Sequence, residues 1–88
     1  MKTQKIKNII EILNNVAEGI ISGKDGLIKW PDIDSEEDSL IATSWHDLSH
    51  YATDGDIREK DKDYADYQRG LLKTRAKEIG EKYGHDME

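Results

Sequence analysis

Cysteine and phenylalanine are absent from the sequence, and Pro31 is its only proline. Without cysteine the chain can form no disulfide, thiolate zinc site, iron–sulfur cluster or cysteine nucleophile. Small secreted domains usually depend on disulfides for their stability, so we expect a cytoplasmic protein.

Long apolar runs are absent as well. No segment approaches the roughly 18 consecutive apolar residues of a membrane span, and Glu11, Asn14 and Asn15 interrupt the apolar N-terminal segment. We therefore expect neither a membrane helix nor a secretory signal. The seven glycines match neither of the common phosphate-binding spacings. No strained serine turn or deep pocket is indicated, so we expect no enzyme activity.

Helical periodicity is the main pattern that the chain does show. The first predicted helix spans 3–21, where apolar side chains recur at intervals of three and four residues. The second begins at 34 or 35 and ends near 54; its apolar stripe consists of Leu40, Ile41, Trp45, Leu48, Tyr51 and Ala52. The third spans 56–83 with a break near 61–63; its apolar stripe consists of Tyr64, Tyr67, Leu71, Leu72, Ala76, Ile79 and Tyr83.

These segments predict an all-α fold, a small three-helix bundle that forms one domain over residues 1–88. The segment 22–34 between the first two helices is predicted to be an irregular loop, because it contains two glycines and the proline. Ser35 followed by Asp38 resembles an N-terminal capping box, which favours a start of the second helix at Ser35. Asp63 is the expected cap for a helix restarting after the break in the third segment.

Charge is distributed unevenly along the chain, whose net charge is −6. Residues 32–56 hold eight acidic residues and neither lysine nor arginine. A surface of this kind suits a basic partner, for which it provides fast association and selectivity. The residues expected to bind such a partner are Asp32, Asp34, Glu36, Glu37, Asp38 and Asp47. The competing interpretation is that these carboxylates serve helix capping and solubility.

Two histidines in the second helix give an alternative, a metal site. His46 and His50 are four residues apart, the spacing at which two imidazoles on one helix face can share a metal ion, and Asp54 follows on the same face. Zinc is the cofactor that this set of ligands suits. The competing interpretation, which we favour, is two solvated histidines and no cofactor.

Basic residues on the third helix give another alternative, nucleic-acid binding. They lie opposite the apolar stripe and are Arg58, Lys62, Arg69, Lys73 and Lys77. Arg75 differs because it falls within the stripe. A charge at that position is expected to pair with an acidic residue of the second helix or to mark an interface.

We therefore expect a non-catalytic, acidic protein-interaction domain, such as an inhibitor, an immunity-like protein or a regulatory modulator. Its recognition face is expected to be the acidic surface around the second helix. A homodimer formed through the first helix is a further expectation, because three short helices leave part of its broad apolar face uncovered.

Overall fold

The computed structural model describes residues 2–84, with side chains from Gln4 onward, so the outermost residues of the predicted 1–88 domain lie outside this range. Five α-helices follow one another: α1 (Lys2–Ala17), α2 (Gly23–Lys29), α3 (Ser39–Thr53), α4 (Gly55–Lys60) and α5 (Lys62–Tyr83). The described part of the chain contains no strand, so the all-α class is confirmed. The expected count of three helices is not confirmed, because the described residues form five. None of the helices between residues 2 and 84 is long and apolar enough to cross a bilayer.

Helix α1 forms one side of the core, and its most extensive packing is along α5. Its apolar residues at three- and four-residue spacing are almost fully enclosed; Ile9 and Leu13 are 0% exposed. The helix ends at Ala17, four residues before the predicted end, and Gly19 then takes a φ of 78°. Glycine adopts this left-handed conformation at low cost, so Gly19 allows the chain to turn back toward the core.

Helix α2 lies within the segment that was predicted to be an irregular loop. The Ser22 hydroxyl caps it by accepting a hydrogen bond from the Asp25 backbone N–H at 3.1 Å. Gly23 and Gly26 are both buried. A Cβ atom on Gly26 would lie 2.8 Å from Val16 Cγ2, so the missing side chain allows α2 to approach α1 closely. Glycine is a poor helix former in isolation, and here tertiary packing outweighs that preference.

The chain between α2 and α3 is anchored at several points. Trp30 is buried, although its Nε1 has no hydrogen-bond partner among the described residues. Ile33 packs against the core within a 3₁₀ turn, Ile33–Ser35. Asp38, and not Ser35, caps α3, because its Oδ1 accepts hydrogen bonds from the backbone N–H groups of Leu40 and Ile41.

The predicted third helix is divided into α4 and α5. The break falls at Asp61, within the expected range, but Asp61 caps the restarted helix instead of Asp63. Its Oδ1 accepts a hydrogen bond from the Tyr64 backbone N–H at 3.1 Å. Helix α5 then packs against both α1 and α3, so residues on α3 and α5 can form a shared surface.

Candidate functional site

Half of the carboxylates that were expected to bind a partner contact basic residues of the same chain. Glu36 Oε1 lies 2.5 Å from Lys5 Nζ, a close ion pair without hydrogen-bond geometry, and Glu36 is largely buried. Asp38, at the start of α3, pairs with Lys82 near the end of α5. The third pair, Asp47 and Arg75, joins the middle of α3 to α5. Each of these three carboxylates therefore joins two segments of the fold.

Asp38 combines capping with ion pairing. Partial burial raises the pKa of its carboxyl group, but hydrogen bonds from Lys82 Nζ and from the N–H groups of Ile41 and Leu40 outweigh that effect. The net result is a pKa below the ordinary value, so the carboxyl group of Asp38 is ionised at neutral pH.

The other three carboxylates, Asp32, Asp34 and Glu37, are exposed. We call them the acidic turn, because Asp34 lies within the 3₁₀ turn, Asp32 precedes it and Glu37 follows it closely. None of them has an ion pair within residues 4–84. Ile33 and Glu36 hold the same stretch of chain against the core and against Lys5. The acidic turn thus presents three solvated charges on an anchored backbone.

Arg75 pairs with an acidic residue of α3, as the sequence predicts. Its Nε donates to Asp47 Oδ2 at 2.7 Å, and its Nη1 donates to Glu78 Oε1 at 2.9 Å. These two hydrogen bonds raise the pKa of the guanidinium above its ordinary value, against the opposing effect of desolvation. The arginine is therefore a fixed positive charge between α3 and α5.

The three expected metal ligands are not gathered into one group. His46 and His50 are exposed on α3. Asp54 Oδ2 instead accepts hydrogen bonds from the Tyr64 hydroxyl at 2.8 Å and from Gln68 Nε2 at 3.1 Å. Residues 4–84 contain no group of three histidine, cysteine or acidic side chains that could hold a metal ion. A site at the two histidines stays a prediction.

Asp54 belongs to a polar network that joins α3, α4 and α5. Gln68, which is buried, also donates to the Tyr64 hydroxyl at 3.1 Å. Arg58 Nη1 donates to Gln68 Oε1 and to the backbone carbonyl of Tyr51, and its guanidinium lies 3.6 Å from the centroid of the Tyr51 ring. The hydrogen bond to Asp54, together with partial burial, raises the pKa of Tyr64. The hydrogen bonds that its hydroxyl makes with Asp54 and Gln68 orient the Tyr64 ring.

Beside this network lies a cleft of about 170 Å³ between α3 and α5, which we call the aromatic cleft. Its lining consists of Asp47, His50, Tyr64, Tyr67, Gln68 and Leu71. The sequence analysis placed Tyr67 in the buried stripe, but 63% of its surface is exposed. It lies at the outer edge of the stripe, and its ring stacks on Tyr64 with a centroid separation of 6.4 Å. The three-residue spacing of the two tyrosines was the available signal for this stack.

A second cleft, of about 420 Å³, lies between α4 and α5 and holds three of the basic residues. Arg58, Lys62 and Arg69 line it together with Glu59. Arg58 is engaged in the polar network, and Arg69 pairs with Asp66 at 2.9 Å. Lys73 and Lys77 are exposed farther along α5. Two of the five expected nucleic-acid contacts are thus engaged within the fold.

The face of α1 that was expected to form a homodimer is largely covered within one chain. Ile6, Ile9, Ile12, Leu13 and Val16 are each at most 6% exposed. Ile20, beyond the end of the helix, is 64% exposed. The apolar stripe of α1 therefore gives little support to a homodimer, which stays a prediction.

Comparison of the chain with protein-family models, with curated proteins and with solved structures finds no match. The function proposed below therefore depends on the geometry and charge of the described residues.

Proposed function

We propose that this chain is a non-catalytic protein-interaction domain that binds a basic partner through the acidic turn. The observation that carries the proposal is the exposure of Asp32, Asp34 and Glu37 beside carboxylates that are neutralised within the fold. Glu36, Asp38 and Asp47 each have an ion pair within the fold, and these three have none among the described residues. Their charge is free to act on another molecule.

Anchoring of the backbone supports the same proposal. A loop that is already ordered loses less conformational entropy when it binds than a flexible loop does. Ile33 contacts the core, Glu36 pairs with Lys5, and Asp38 caps α3 while pairing with Lys82. Each exposed carboxylate therefore lies within two positions of an anchored residue, which for Asp32 is Ile33.

The charge distribution around the acidic turn favours a basic partner over a neutral one. No lysine or arginine occurs between residues 32 and 56, and the whole chain carries a net charge of −6. Such a field speeds the encounter with a positively charged surface and repels acidic proteins. The partner is therefore expected to carry lysine or arginine at its contact surface.

Variants of equal net charge test the proposal. The first, Asp32→Asn/Asp34→Asn/Glu37→Gln, neutralises the acidic turn. The matched control, Glu11→Gln/Glu18→Gln/Glu81→Gln, removes three exposed carboxylates elsewhere. Each variant and the unchanged chain are immobilised, exposed to lysate of the producing cells, and compared by quantitative mass spectrometry.

The expected result is a basic protein retained by the unchanged chain and by the control, and depleted on the acidic-turn variant. With the purified partner, the association rate constant should fall about tenfold for that variant and fall with added salt. The acidic turn is not the recognition surface if the unchanged chain and both variants retain the same lysate proteins. The same conclusion follows if the control variant loses the partner as much as the acidic-turn variant does.

Nucleic-acid binding is a second candidate, favoured by the cleft that brings Arg58, Lys62 and Arg69 together. Lys73 and Lys77 extend positive charge along the exposed side of α5. Fluorescence anisotropy with a short RNA and a DNA duplex at 50 and 200 mM salt tests it. Binding should weaken steeply with salt and in Lys62→Gln/Lys73→Gln/Lys77→Gln. Equal anisotropy for that variant and the unchanged chain contradicts this candidate.

A further inference from the structure

Tyr67, which lines the aromatic cleft, is a large side chain that is mostly exposed to solvent. Tyr51 and Tyr83 are both buried in the core, at 9% and 8% exposed, whereas Tyr67 is 63% exposed. Exposed tyrosines contribute strongly to protein interfaces, since they combine a large apolar surface with little conformational freedom. Tyr67 is therefore the residue of this cleft best suited to contact another molecule.

The ring beside Tyr67, that of Tyr64, is itself oriented by hydrogen bonds. Its ring stacks on Tyr64 at an interplanar angle of 27°. The Tyr64 hydroxyl in turn donates to Asp54 and accepts from Gln68, which is hydrogen-bonded to Arg58. The exposed Tyr67 ring therefore has an ordered aromatic neighbour, and any freedom that this stack already restricts is not lost again on binding.

The charge of the cleft selects the chemistry of the occupant. Its lining includes one carboxylate, Asp47, and one imidazole, His50, but neither lysine nor arginine. Asp47 uses Oδ2 to accept from Arg75, and Oδ1 has no hydrogen bond among the described residues. The lining of this cleft therefore combines a carboxylate that has one oxygen without a hydrogen bond with an electron-rich ring.

Arginine fits these two features better than lysine does. The guanidinium is planar and stacks on aromatic faces, and it donates hydrogen bonds to a carboxylate at the same time. The chain itself shows the stacking arrangement at Arg58, whose guanidinium lies over the Tyr51 ring. Lysine carries a more strongly hydrated point charge, which costs more to place against a ring.

We propose that the aromatic cleft binds one arginine side chain of the partner, with the guanidinium stacked on Tyr67 and paired with Asp47. The inference rests on the proposed function, because it identifies a contact made by the same basic partner. It adds a specific recognition pocket to the less specific attraction of the acidic turn.

The test uses peptide probes that differ in one side chain, titrated into the isotope-labelled full chain and followed by amide NMR shifts. The probes are acetyl-Gly-Arg-Gly-amide, its lysine counterpart, and the citrulline counterpart, which has nearly the shape of arginine without its charge. The expected result is saturable shifts at His50, Tyr67 and Leu71 with the arginine probe. The lysine probe should bind at least threefold more weakly, and the citrulline probe at least fivefold.

Substitutions of Tyr67 provide the matched variants. Tyr67→Phe keeps the ring and should bind the arginine probe within twofold of the unchanged chain. Tyr67→Leu removes the ring and should weaken binding at least threefold. Because Tyr67 is mostly exposed, both variants are expected to fold, which the dispersion of their amide spectra verifies.

Three results would overturn the inference: equal binding of arginine and citrulline probes, unchanged binding by Tyr67→Leu, or shifts confined to the acidic turn. Failure of the proposed function gives a different result. A partner retained equally by the acidic-turn variant contradicts that function even if the arginine probe binds the cleft. If the acidic-turn variant loses the partner but the arginine probe causes no amide shifts at the cleft residues, only the arginine pocket is overturned.

Discussion

Lys82 Nζ lies 2.8 Å from Asp38 Oδ2, so an ion pair joins the last turn of α5 to the N-terminal cap of α3 across 44 positions of sequence. Asp38 stabilises α3 with one oxygen and contacts Lys82 with the other. Asp38, the N-cap of α3, directly follows Glu37 of the acidic turn. Asp38 is therefore one of the anchors, with Ile33 and Glu36, that orient the proposed recognition surface.

The first prediction separates these two roles of Asp38. Asp38→Ala loses both the cap and the ion pair and should lower the free energy of unfolding by about 1–2 kcal/mol. Lys82→Met loses only a half-exposed partner and should change it by less than about 1 kcal/mol. Asp38→Asn keeps a capping oxygen, so its loss of unfolding free energy should lie between those of the other two variants. Urea unfolding measures all three, and a larger loss for Lys82→Met would contradict this division.

The second prediction concerns acid stability. Because the folded-state pKa of Asp38 lies below its ordinary value of 3.8, its contribution is fully present above that value. It is lost as the pH falls through the lowered pKa. Urea midpoints between pH 5 and pH 2 should therefore decrease more for the unchanged chain than for Asp38→Asn. Parallel decreases would assign the acid sensitivity to other carboxylates.

The third prediction concerns two glycines in helices. Gly26→Ala adds a Cβ that would lie 2.8 Å from Val16 Cγ2 and 3.2 Å from Ile12 Cγ2. Overpacking of this kind costs about 1–3 kcal/mol and exceeds the gain in helix propensity. Gly70→Ala meets open space on an exposed part of α5 and should stabilise the protein by about 0.5–1 kcal/mol. Thermal unfolding should give melting temperatures that shift in opposite directions.

The fourth prediction concerns the ion pair between α3 and α5. Arg75→Met leaves the largely buried Asp47 without its partner and should cost about 1–2 kcal/mol. A double-mutant cycle with Asp47→Asn should show favourable coupling, since the two side chains contact each other directly. Arg69→Met is the control, because its partner Asp66 is exposed and its effect should be clearly smaller. If Arg75→Met and Arg69→Met lower the free energy of unfolding equally, the pairing of Arg75 with Asp47 contributes no more to stability than an exposed ion pair does.

Local sequence patterns predicted the helical segments well where one face is continuously apolar. The stripe from Ile6 to Val16 identified α1, and that of Leu72, Ala76 and Ile79 identified α5. Helix α2 was not predicted, because its two glycines favour a loop until their fit against α1 and α3 is known. Propensity describes a segment alone, whereas close backbone approach depends on its neighbours.

The candidate site was harder to predict because it depends on contacts between distant segments. Sequence indicated that Arg75 needs an acidic partner, and Asp47 is that partner. It could not separate Glu36, which pairs with Lys5, from Glu37, which is exposed, because both lie in the same acidic run. Tyr67 was misplaced because its angular position at the edge of the stripe is compatible with either environment.

The close approach of Gly23 to Ala52 Cα and of Gly26 to Val16 also bears on how this fold can evolve. Exposed charges without a partner in the fold, such as Asp32 and Asp34, can be replaced without disturbing the packing, so they diverge freely unless another molecule constrains them. Positions 23 and 26 cannot accept a bulky side chain while α2 stays in place. Distant homologues that retain this architecture should therefore be recognisable by small residues at these two positions, even after the acidic turn has changed beyond recognition.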